Sequence, residues 1–113
     1  MHNSEFVLKI RGVSLADIEQ LRDTTKELLD LPLPQERKFG PDDWHTIFAV
    51  IQGVAVTAGA IANTAKIAKW LYDWVQARRA KNAEFKGLLQ AKGKSPLDLA
   101  ASSEDVIKKW LDE

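Results

Sequence analysis

Residues 44–65 read WHTIFAVIQGVAVTAGAIANTA and contain no Asp, Glu, Lys or Arg. Asp42 and Asp43 precede the stretch, and Lys66 and Lys69 follow it. Between Ile47 and Ala62 only Gln52 and Thr57 interrupt the small and apolar residues. A helix on the surface of a globular domain shows a polar face over such a length, and this stretch shows none. Read as helical, it must be covered all round, by the rest of the chain, by a second subunit or by a bilayer. Pro41 suits a first helical position and Asp42 and Asp43 suit the positive end of a helix dipole. No further proline occurs before Pro96. The pattern therefore predicts helix from Pro41 to about Lys81, roughly 60 Å if unbroken. A rod of that length does not fit a small domain, so a bend is expected near Gly53, Gly59 or Asn63, or a helix pair over 41–82.

The residue sizes suggest what covers this segment. Ala49, Gly53 and Thr57 recur every four positions, as do Ala55, Gly59 and Asn63. On a helix such spacing makes a flat groove that lets another backbone approach closely. The alternative is a membrane span. Trp44 at one end and Trp70, Tyr72 and Trp74 at the other would form an aromatic belt, followed by Lys66, Lys69, Arg78, Arg79 and Lys81. The magnitudes argue against spanning. Ile47, Phe48, Val50, Ile51, Val54, Val56 and Ile61 together supply roughly −2 to −4 kcal/mol on an insertion scale. Gln52, Asn63, His45, three threonines and two glycines oppose that sum, and the stretch holds no Leu.

Outward from this segment the signals are more conventional. Phe6, Leu8 and Ile10 alternate with Val7, Lys9 and Arg11, which predicts a half-buried strand over 5–11. Ser14 with Asp17 three residues on resembles a capping box, opening an amphipathic helix over about 15–30. The run Leu31-Pro32-Leu33-Pro34 ends it. Residues 35–40 read as a loop. Glu84 to Ala91 and Leu97 to Ala100 read as two strands around the turn Lys92-Gly93-Lys94-Ser95. Ser102 is expected to cap a last helix whose apolar stripe is Val106, Ile107, Trp110 and Leu111. The expected fold is a single α+β domain over 1–113 with a small three-stranded sheet. Its order is β-α-α(α)-β-β-α, with a long central helix, straight or bent, or a helix pair, and a closing helix.

The 113-residue chain balances 16 Lys and Arg against 16 Asp and Glu. The balance is segmental. Residues 1–43 carry a net of −3, 44–95 a net of +6 and 96–113 a net of −3. A basic middle between acidic ends implies charge complementarity within the molecule or between subunits. There is no Cys and there are two His, His2 and His45. Thiolate metal sites, disulfides and Cys nucleophiles are thereby excluded. Asp42, Asp43 and His45 lie close together, but capping and dipole effects account for the two carboxylates without chemistry. Ser14, Ser95, Ser102 and Ser103 occupy expected caps and turns. No Gly-x-Ser-x-Gly elbow and no phosphate-binding glycine loop occurs. The expectation is a chain that is no enzyme, with no catalytic residue, no metal ligand and no cofactor.

Two other readings compete with a protein contact. The strip 66–86 combines Trp70, Trp74, Arg78 and Arg79, and so raises nucleic-acid binding. An amphipathic helix end with Trp in the core and Arg at the favourable C-terminus explains the same residues. The start of the chain lacks a basic region followed by an apolar run, so cytoplasmic residence is expected, with membrane association through 44–65 as the alternative.

Glu5-Phe6-Val7-Leu8-Lys9-Ile10, the Gly/Ala-rich run Val54 to Ala62 and the exit Ala68-Lys69-Trp70-Leu71 to Arg78-Arg79 carry a resemblance. With the Lys92-Gly93-Lys94 hairpin and the closing helix, this pattern resembles the small effector-associated constant components of bacterial conflict (immune) systems. The Pro-rich loop and the central aromatics depart from it. The resemblance implies a non-catalytic accessory protein beside a separate effector, and carries over no functional residue. We therefore expect a protein-interaction or oligomerisation module whose partner is a second copy or a separate effector. Its contact residues are expected at Ala49, Gly53, Ala55, Thr57, Gly59, Asn63, Trp70, Trp74, Arg78 and Arg79.

Overall fold

A computed structural model describes residues 5–32, 44–51 and 59–112. The uncharged stretch divides into two different structures. Its first part is a strand, β3 (His45–Ile51), and its second part begins α2 (Gly59–Lys81). The expected helix from Pro41 is thus corrected over 45–51. Four of these seven residues, Thr46, Ile47, Val50 and Ile51, are β-branched, and Phe48 is aromatic, so side-chain packing favours the pleat. His45, Ile47, Ala49 and Ile51 are buried while Thr46 and Phe48 are exposed, a period of two rather than 3.6.

The other strands are β1 (Glu5–Arg11), β2 (Leu29–Asp30), β4 (Lys86–Gln90) and β5 (Leu97–Asp98). With β3 they form one antiparallel sheet in the order β2-β3-β1-β4-β5, not the expected three strands. The first six elements run β-α-β-β-α-β, and their four strands take the spatial order of the split βαβ, or ferredoxin-like, arrangement. The two helices between strands are α1 (Leu15–Thr25) and α2, and α3 (Glu104–Asp112) closes the chain.

Helix α1 starts as its sequence demands. Ser14 Oγ accepts from the Asp17 backbone N–H at 3.2 Å, and Asp17 Oδ2 accepts from the Ser14 N–H at 2.9 Å. It ends at Thr25, five residues short of the expected end. The Thr24 and Thr25 hydroxyls donate back to the Gln20 and Leu21 carbonyls, a habit that weakens a helix. Leu29 and Asp30 then pair with Ile51 and Val50. The strand expected over 97–100 stops at Asp98, whose side chain accepts from the Ala100 N–H and starts a single 3₁₀ turn over Leu99–Ala101. Ser103, not Ser102, caps α3, with Oγ accepting from the Val106 N–H at 3.3 Å.

All three helices contribute to the core on one face of the sheet. Phe6, Leu8 and Ile10 of β1, Ile47 and Ala49 of β3, and Leu89 of β4 meet Ile18 and Leu21 of α1, Ile67, Leu71 and Val75 of α2, and Ile107 of α3. Helix α2 packs against both α1 and α3. Gly12 joins β1 to α1 at φ +83°, the left-handed region. A Cβ there would stand 3.1 Å from the Phe85 backbone.

Candidate interaction surface

The ten expected contact residues fall in different places. Ala49 is buried in β3 against the core, so it cannot share a helical groove with Gly53 and Thr57. Gly53, Ala55 and Thr57 lie outside the described residues. Gly59 opens α2 and Asn63 follows one turn later. Trp70 is half-buried against the core, and Trp74 and Arg78 are buried. Arg79 is exposed and its Nη1 donates to the Ala100 carbonyl at 2.7 Å.

Trp74 and Arg78 form a clamp between helices. They lie one turn apart on α2 and both reach Asp17 at the start of α1. Trp74 Nε1 donates to the Asp17 carbonyl at 3.0 Å, and Arg78 pairs with the Asp17 carboxylate. The Trp74 ring meets Phe85 edge-on at 5.6 Å between centroids. Burial alone would push the Asp17 carboxyl upward. Hydrogen bonds from Ser14 and the charge and hydrogen bond of Arg78 outweigh that, so its pKa lies below the ordinary value. A polyanion facing α2 meets neither the Trp74 ring nor the Arg78 guanidinium, since both are turned into the protein.

A second clamp fixes the end of the chain. Lys94, in the β4–β5 hairpin, stands 4.6 Å from the Trp110 ring centroid and donates to the Trp110 carbonyl at 2.7 Å. Trp110 Nε1 donates to the Ser95 carbonyl at 2.8 Å, and its ring meets Phe6 edge-on at 6.4 Å. The loop between the strands can turn here because Gly93 takes φ +81°.

The opposite face of the sheet has no helix on it among the described residues. Strand register orders its side chains in rows. Asp30, Val50 and Glu5 form the first row, and Phe48, Val7 and Gln90 the second. Thr46, Lys9, Leu88 and Asp98 form the third, and Arg11 and Lys86 the last. Phe48 is 66% exposed, and Trp44, just before β3, is 43% exposed. A groove of about 420 Å³ lies where β1, β3 and the end of β4 meet, lined by residues 5–7, 48–50 and 90–92, which belong to both faces. Large apolar side chains standing together on a sheet face that carries no helix among the described residues point to a contact site. The helical reading of 44–65 concealed Phe48. The signal that finds it is its alternation with Ile47 and Ala49.

Among the described residues no group of three or more His, Cys, Asp and Glu could hold a metal ion. His45 is buried on the core face of β3, while Asp42 and Asp43 lie outside the described residues. No helix among the described residues is long and apolar enough to cross a membrane. A span over 44–65 is further opposed by the pairing of its first part in the sheet. Compared with protein-family models, curated proteins and solved structures, the chain finds no match in any of the three.

Proposed function

We propose that the chain is a non-catalytic protein-interaction module, and that its contact surface is the open face of the sheet rather than the helix face first expected from 44–65. The observation that carries this reading is Phe48, two-thirds exposed beside Val7 on a face that otherwise alternates cleanly with the core. An aromatic residue held rigidly by a central pair of strands suits a contact anchor, because little side-chain freedom is lost on docking. The likeness to effector-associated constant components supports an accessory role beside a separate effector in a bacterial conflict system. Nucleic-acid binding through 66–86 has less support, since Trp74 and Arg78 are occupied with Asp17.

A photo-crosslinking benzoylphenylalanine placed at Phe48 of the full chain, in its cell of origin, tests the reading. Position 48 is expected to yield protein adducts, and the same group placed at Gln76, exposed on α2, is expected to yield none. Adducts absent at 48, or equally abundant at 76, would contradict the proposal.

A further inference from the structure

We draw no further inference here: the strongest candidate, the open sheet face around Phe48 and Val7, belongs to the contact surface already described, and nothing in the structure shows what covers it.

Discussion

Strand β1 presents two faces built from the same seven residues. On one, Phe6, Leu8 and Ile10 are buried under three helices. On the other, Glu5, Val7, Lys9 and Arg11 lie on a face without a helix among the described residues. The buried face is closed twice over, by the Asp17–Trp74–Arg78 clamp at one end and the Lys94–Trp110 clamp at the other. Its side chains are all used within the molecule. The open face has a hydrophobic centre, with Phe48 beside Val7, and charged residues on either side of it. The difference teaches that residue type by itself identifies a contact surface poorly here. Trp70, Trp74, Arg78 and Arg79 drew notice in the sequence because Trp and Arg are typical of interfaces, yet three of the four are wholly or half buried. Phe48, an ordinary residue in an apolar run, stands outside.

Substitutions should separate the two faces by their effect on folding. The largest effect is expected for Leu8→Ala, since Leu8 is fully buried at the centre of the sheet. Chemical denaturation should show a loss of about 4 kcal/mol from lost burial and the cavity left behind. A loss below about 1 kcal/mol would break the comparison.

Asp17→Ala comes next. It leaves the buried Arg78 guanidinium without its counter-charge, and Arg78 Nε already lacks a hydrogen-bond partner among the described residues. A loss of roughly 3 kcal/mol is expected. The same clamp sets an acid limit. Because the folded pKa of Asp17 lies below its unfolded value, the stabilisation is fully present above the ordinary carboxylate pKa. It is lost as pH falls through the folded value. In Asp17→Asn, stability measured against pH should fall less steeply over that acid range than in wild type. Equal slopes would remove Asp17 from the account.

Gly12→Ala tests the joint between β1 and α1 and should cost about 2 kcal/mol. A side chain is strained at φ +83°, and its Cβ would press on Phe85. An unchanged stability would mean that the joint relaxes freely.

How much of this was legible in the sequence follows from which physical signal each segment carries. Strand β1 was readable because its alternation is unmixed, and the α1 start because Ser14 and Asp17 form a local motif. The α2 end at Lys81 was readable from helical spacing, as were Ile107, Trp110 and Leu111 of the α3 stripe, whereas Val106, expected in that stripe, stands exposed. Strand β3 was not, because it shares one uncharged run with the segment leading into α2, and burial on a sheet removes charge as thoroughly as burial of a helix. Its β-branched residues were the available clue. A two-residue strand such as β2 carries no period, and its pairing is decided by the neighbours that need an edge, whereas β5 was readable from the turn before it and only its end was misplaced. The clamp role of Arg78 was hidden because it depends on Asp17, 61 positions away. The open face became visible only once register set Phe48 beside Val7.

The smallest effect on folding is expected at Phe48, and its contrast with Ile47 tests the two-faced sheet most directly. Ile47 and Phe48 are adjacent on β3 and point to opposite faces. Thermal unfolding of Ile47→Ser and Phe48→Ser, compared side by side, is the decisive measurement. The account predicts that Ile47→Ser lowers the melting temperature by well over 10 °C, at roughly 4 °C per kcal/mol. Phe48→Ser should stay within about 2 °C of wild type, a surface change of about 0.5 kcal/mol or less. Equal losses in the two variants, or a larger loss at Phe48, would contradict it.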